Sequence, residues 1–299
     1  MSVPVSNTPN GVIHDIGFRH YDGPRLGRGW AFRSLLWETV RGAYGLGRPA
    51  KARVMPWLLL SFFVIPALVI VIVAIVTGDS ALAVSYTQYP VTVSLLVTLF
   101  AAGRAPYAVS RDLRDGVIPL YLSRPITRRD YVLAKFVGLW IALFIFIAAP
   151  ITLMMIGSLL AKLPVDDTLL GWLGGLLMGA LLAALIAAIS LTIAAFTKRR
   201  GLGVAAILTI LIIATGMAAI IVDTVGFQVS QEAGSYGALM EPYMLVDGIG
   251  ASVLSVEPTN TSVEPVNALG TTVFIAWYFT IIGGALAILF ARYKKVGGV

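Results

Sequence analysis

Residues Ser110 to Phe136 read SRDLRDGVIPLYLSRPITRRDYVLAKF. This stretch holds six of the chain's 22 Lys/Arg and three Asp, in a protein with only 12% charged residues, and it is wedged between two long apolar runs. A charge cluster beside runs of that length belongs in water at a membrane face, because hydrocarbon offers no partner to an ionised group. That is also where a soluble partner can grip.

The rest of the composition agrees. Apolar residues make up 58% of the chain and the mean hydropathy is +0.87, well above soluble domains. The absence of Cys among 299 residues removes disulfides, thiolate chemistry and Cys-ligated metals. His14 and His20 are the only histidines and are unclustered, so no metal site is expected.

Outward from the opening stretch lie six apolar runs, each near the roughly 20 residues needed to cross about 30 Å of hydrocarbon. They are Pro56 to Thr77, Tyr89 to Val109, Val132 to Leu160, Leu169 to Phe196, Leu202 to Val222 and Thr271 to Arg292. Pro66 and Pro150 fall inside the first and third. Before the first run, residues 1–28 form an N-terminal segment without a signal-peptide core. Residues 29–55 bring Trp30, Trp37 and Tyr44 at intervals of seven, with Arg33, Arg41 and Arg48 interspersed. That spacing predicts an amphipathic helix lying in the headgroup region, aromatic face down. Residues 56–299 then form a six-helix transmembrane domain.

Sidedness follows from the charges. The residues before the first run, the 104–135 loop, Lys198–Arg200 and the C-terminal end from Arg292 hold 21 of the 22 Lys/Arg. The opposite loops hold only Lys162 but nine of the 15 acidic residues. Both termini and the opening stretch are therefore expected in the cytoplasm of a multi-pass plasma (inner) membrane protein. The net charge of +7 is topology and implies no nucleic acid.

Two further patterns concern packing. Gly171, Gly175, Gly179, Ala183 and Ala187 form a small-residue ridge that invites close approach by another helix, of the same chain in the favoured reading or of a second copy, and Gly283 with Gly284 suggests a similar contact in the last run. Between runs five and six, residues 223–270 are too long for a turn. Leu239, Tyr243, Val246, Ile249 and Val253 recur there at helical spacing, predicting short amphipathic helices on the outside of the bundle.

Catalytic motifs are missing. There is no G-x-x-x-x-G-K-[ST] phosphate loop, no H-E-x-x-H and no G-x-S-x-G. Arg104 is the one charge expected below the membrane surface, about two turns in from the cytoplasmic end of the second run; it either lines a cavity or snorkels to the interface, and both readings stand.

Against this background the opening stretch resembles the membrane subunit of ABC-2 type transporters. The pattern is carried by Asp112, Gly116, Val117 to Leu122, Ser123, Pro125, Ile126, Thr127, Arg128 and Lys135, with Asp112 where the family usually has Glu. Pro242 to Gly248, PYMLVDG, is similar to a second family stretch. The resemblance implies that residues 110–136 are a coupling segment for a separate cytoplasmic ATPase present in two copies. Arg111, Asp112, Leu113, Arg114, Asp115, Gly116, Val117, Ile118, Pro125 and Arg128 would form that contact, and ATP and Mg would be bound by the partner, with no cofactor in this chain. It further implies a second, identical permease chain and export of an amphipathic or hydrophobic substrate such as a drug, antibiotic or lipid. Two other readings remain open: transmission of ATPase motion to an extracytoplasmic partner, and an ATP-independent secondary carrier.

Overall fold

The structure, a computed structural model, describes residues 23, 26–78, 81–122, 126–197 and 199–296, apart from the side chains of Arg111, Pro119, Leu122, Lys295 and Val296. Most of the 1–28 segment, with both histidines, and Pro125 lie outside the described residues. Among the described residues there is no strand. The helices are α1 (Arg28–Ala43), α2 (Lys51–Thr77), α3 (Tyr89–Thr92), α4 (Ser94–Arg114), α5 (Ile118–Leu122), α6 (Arg128–Leu160), α7 (Val165–Phe196), α8 (Arg200–Gln228), α9 (Gln231–Ser235), α10 (Pro242–Leu254) and α11 (Ala268–Val296).

Five of these, α2, α6, α7, α8 and α11, are long and apolar enough to cross a membrane. The second expected run is divided at Val93 into α3 and α4, and α4 falls short in apolarity because it carries Arg104, Asp112 and Arg114. Yet its Val97, Phe100, Ala101 and Ala105 are wholly buried. A helix enclosed by other helices is not selected for contact with hydrocarbon, so hydropathy understates it.

Side-chain contacts sort the helix termini into two ends. At one end Arg28 pairs with Asp130 at 2.7 Å, Arg128 donates to the Lys294 carbonyl, and the Arg292 guanidinium lies over the Phe196 ring. At the other end the Tyr86 hydroxyl donates to Ser158, Gln88 donates to the Glu257 carbonyl, and Asn267 donates to Glu232. The basic loops therefore meet at one end of the bundle and the acidic ones at the other.

Between them, α7 packs on α6, α4 and α11. Its small-residue ridge is an internal contact. A Cβ on Gly175 would lie 2.8 Å from the Tyr86 Cβ and 3.0 Å from the Tyr86 carbonyl oxygen, and one on Gly179 would lie 2.9 Å from Ile147. Ala183 and Ala187 are fully buried. Gly283 and Gly284 differ from expectation: nothing lies within 4 Å of either, so they face away from this chain. The outer faces of α2 and α8 expose Val69, Ile72, Ile75, Ile210, Ile213 and Ile220, a surface suited to hydrocarbon.

The first helix forms where expected but presents its faces differently. Leu35, Thr39 and Val40 are buried where α1 packs against α6. Trp30 and Trp37 project outward with Arg33 and Arg41. Tyr44 leaves this stripe, buries its ring and donates to the Ala142 carbonyl at 2.7 Å. The stripe is divided because α1 ends at Ala43 and Tyr44 belongs to the following turn. That turn depends on Gly45, which has φ +69° and leaves no room for a Cβ beside the Ala52 carbonyl.

Residues 229–254 do more than cap the bundle. The chain doubles back along α8, with Gly234 against Gly226, Gly237 against Ile221 and the Glu241 carboxylate accepting from Thr215 at 3.2 Å. Glu241, 1% exposed, also accepts from the Met244 N–H and so caps α10. Tyr243 then meets Thr98 on α4 at 2.7 Å, while Gly248 abuts Phe274 and Gly250 abuts Met178. α10 thus sits among α4, α7 and α11.

Two outcomes follow from this packing. Gly175→Leu should destabilise the chain by about 1–3 kcal/mol in detergent unfolding, because the Tyr86 backbone cannot rotate away, whereas Gly283→Leu should change the monomer by less than about 0.5 kcal/mol; equal effects would refute the packing argument. Burial pushes the Glu241 carboxyl from an ordinary 4.5 up to about 7. A raised value means that the folded state holds the proton more tightly, so its stabilisation is fully present below about pH 4.5 and is lost as pH rises through about 7. Melting temperature measured from pH 4 to 8 should fall across that window in wild type, and the fall should be smaller in Glu241→Gln.

Candidate functional site at the basic end of the bundle

The site is built on the last turn of α4, the bend after it and the first two turns of α6. α4 ends at Arg114, and two residues on Gly116, with φ of +64°, lets the Val117 N–H reach back to the Asp112 carbonyl. This is a six-to-one helix ending, which favours Gly because a Cβ is strained in that conformation. Nothing lies within 4 Å of a Cβ placed there, so φ alone makes the demand. The bend then enters α5, which buries Ile118 and leaves Leu120 68% exposed. After residues 123–125, Thr127 and Asp130 form a capping box that starts α6. Asp130 also accepts two 2.7 Å hydrogen bonds from Arg28, clamping the start of α1 to the start of α6. That carboxylate raises the pKa of the Arg28 guanidinium.

The residues singled out in the sequence divide between two faces. Arg114, Asp115 and Gly116 are exposed, and Arg114 Nε pairs with Asp115 at 2.9 Å. Leu113 and Val117 are half-buried, Ile118 is buried, and Arg128 is exposed. The Arg111 side chain and Pro125 lie outside the described residues. Asp112 turns inward.

Only 8% exposed, Asp112 accepts from Lys135 Nζ at 3.0 Å and from the Tyr131 hydroxyl at 2.7 Å. Lys135 is itself 6% exposed, and its ammonium lies 5.5 Å from the Tyr131 ring centroid and 5.9 Å from that of Tyr121. Tyr131 in turn packs against Tyr293 of α11 at 5.2 Å. The expectation that the whole charge cluster lies in water is therefore corrected: Asp112 and Lys135 satisfy each other out of water, and α4, α6 and α11 meet at them. Tyr121, Tyr131 and Tyr293 were not singled out in the sequence. A signal existed for Tyr131, which stands four residues before Lys135 and so shares its helix face.

Behind the pair lies a cavity of about 510 Å³, bounded by α1, α4, α5 and α6 and lined by Arg48, Arg104, Tyr107, Asp112, Tyr121 and Lys135 among others. The Arg48 guanidinium stacks 4.2 Å from the Tyr107 ring centroid. Arg104 is 5% exposed. Ser110 fixes this part of α4 by donating to the Ala194 carbonyl of α7 at 2.9 Å.

The chain matches the family model described as ABC-2 family transporter protein over residues 52–256, from the start of α2 to just beyond α10. No curated protein matches it.

The inward face is testable by a mutant cycle. Lys135→Met leaves a buried carboxylate unpaired and should cost about 3–5 kcal/mol in unfolding free energy. Adding Asp112→Leu to it should recover part of that loss; strictly additive losses would show that the two groups do not act as a pair.

Proposed function

This chain belongs to the ABC-2 transporter family, and from that premise we propose that it is the permease subunit of an exporter driven by a separate cassette ATPase. Family membership and its five apolar helices make it a multi-pass membrane protein that is not itself catalytic. In the proposed assembly α4 is a sixth span, the basic end faces the cytoplasm of a plasma membrane, and two identical permease chains act with two ATPase subunits. ATP and Mg²⁺ belong to those partners, and the cargo is amphipathic.

The observation that carries the reading is the two-faced construction of residues 112–122. Outward, Arg114, Asp115 and Leu120 offer an apolar residue within a charged rim, the composition of a protein interface. Inward, Asp112 joins the same turn to Lys135 and Tyr131 on α6 and, through the Tyr131 ring, to α11. A subunit that seats on the turn and moves would thus displace long helices together, as in shear and rigid-body transitions. α4 carries the displacement further, since near its other end Thr98 is hydrogen-bonded to Tyr243 of α10.

Co-expression of the chain with the cassette ATPase encoded nearest to it tests this assignment. Leu120→Glu combined with Arg114→Glu should reduce co-purified ATPase about tenfold or more, the equivalent of about 1.4 kcal/mol, with the detergent melting temperature unchanged. Failure of any ATPase to co-purify with wild type, or wild-type association by the double variant, would overturn it. Transport in proteoliposomes that persists under vanadate would favour the secondary carrier instead.

A further inference from the structure

The cavity at the basic end contains a cation whose hydrogen bonding is incomplete. Arg104 Nε is buried and has no partner, and among the described residues no carboxylate forms an ion pair with this side chain. The carboxylates that line the cavity are otherwise placed: Asp112 is held by Lys135 and Tyr131, Asp115 pairs with Arg114, and Glu38 is exposed on α1. Arg48 and Arg200 lie within electrostatic reach of Arg104 and add positive field. A buried guanidinium with an unmade hydrogen bond, repelled by its neighbours, is costly unless an anion completes it.

The form of the cavity narrows the choice of anion. Its volume of about 510 Å³ far exceeds a single small oxyanion. It adjoins an open groove of about 940 Å³ along α1, with Glu38 and Arg48 lining both, and Trp30, Arg33, Trp37 and Arg41 line the rest of that groove. Trp30 and Trp37 are 56% and 57% exposed. Exposed tryptophans alternating with arginines suit the boundary between headgroups and acyl chains. A ligand filling both spaces has an anionic head and an apolar tail.

We infer that this cavity binds the phosphate group of an amphiphile whose tail lies along the Trp30–Trp37 face of α1, with Arg104 as the principal contact to the phosphate oxygens. The planar guanidinium fork matches two such oxygens, and the cluster of cations favours phosphate over a singly charged head. Service as the cargo entrance would rest on the permease reading; the binding itself does not.

The test uses the full chain in neutral-detergent micelles, without ATPase or ATP, so its failure is separable from failure of the permease reading. Binding is measured for phosphatidic acid, for diacylglycerol with the same tails, and for inorganic phosphate. Wild type should bind phosphatidic acid at least about tenfold more tightly than diacylglycerol, and millimolar inorganic phosphate should displace it only weakly. Arg104→Gln should weaken phosphatidic acid binding about tenfold or more, and Trp37→Ala should weaken it while leaving any phosphate binding unchanged. If Arg104→Gln does not fold, Arg104→Lys carries the test, since loss of the fork should still cost about threefold or more. Equal binding of diacylglycerol, or wild-type affinity in the Arg104 variant that folds, overturns the inference. Full displacement by inorganic phosphate assigns the site to the free anion and also overturns it.

Discussion

The basic end of this molecule depends on one buried contact, the 3.0 Å pair between Asp112 and Lys135 completed by the Tyr131 hydroxyl. Two charges removed from water lose several kcal/mol of hydration each, and their mutual attraction offsets that loss only when geometry is good and the remaining lone pairs are occupied. Here the tyrosine occupies one of them, and the ring faces of Tyr121 and Tyr131 lie within 6 Å of the ammonium. The contact is therefore intolerant of partial assembly. It holds the end of α4 against the start of α6 and, through Tyr293, against the end of α11. A second clamp, Arg28 on Asp130, adds α1 at the same level.

This constraint explains why α4 differs from the other long helices. It carries more charge for its length than they do, yet its middle is fully buried through Val97, Phe100, Ala101 and Ala105. Central position supplies what low hydropathy would otherwise forbid: each polar group on α4 can find a partner in a neighbouring helix, as Thr98 does in Tyr243, Ser110 in the Ala194 carbonyl and Asp112 in Lys135. Arg104 departs from that pattern, since its Nε lies in the interior without a partner.

Much of the architecture was legible in the sequence because lipid imposes a coarse rule. Apolar runs of spanning length, the Gly171–Ala187 ridge and the separation of basic from acidic loops each reflect a single strong preference; five of the six runs, the ridge and the separation reappear in the structure. What the sequence hid depends on direction. Trp30, Trp37 and Tyr44 share a heptad spacing, yet the helix ends before Tyr44 and the last ring turns into the core. Gly283 and Gly284 look like Gly175 in composition and differ only in what stands opposite. Asp112 and Arg114 sit two residues apart near the end of one helix and so on opposite faces of it, and spacing alone does not say which of the two turns inward. The return of residues 229–241 along α8 was invisible because it is fixed by glycine contacts and by a single glutamate capping α10.

The spacing of the 110–136 stretch carries two messages that the chain overlays. Asp112 and Lys135 stand at the far ends of the pattern and face each other, so their separation records the length of bend needed to bring the end of α4 against the start of α6. Gly116 serves that bend through its backbone alone. On the proposed reading, the residues that meet another protein are those in between, Arg114, Asp115 and Leu120, which are exposed on the turn that the outer pair holds in place. A turn anchored at both feet is stiff, and stiffness is what a contact needs if a push on its tip is to reach the helices and not be absorbed locally. The buried ends and the exposed middle are thus parts of one device.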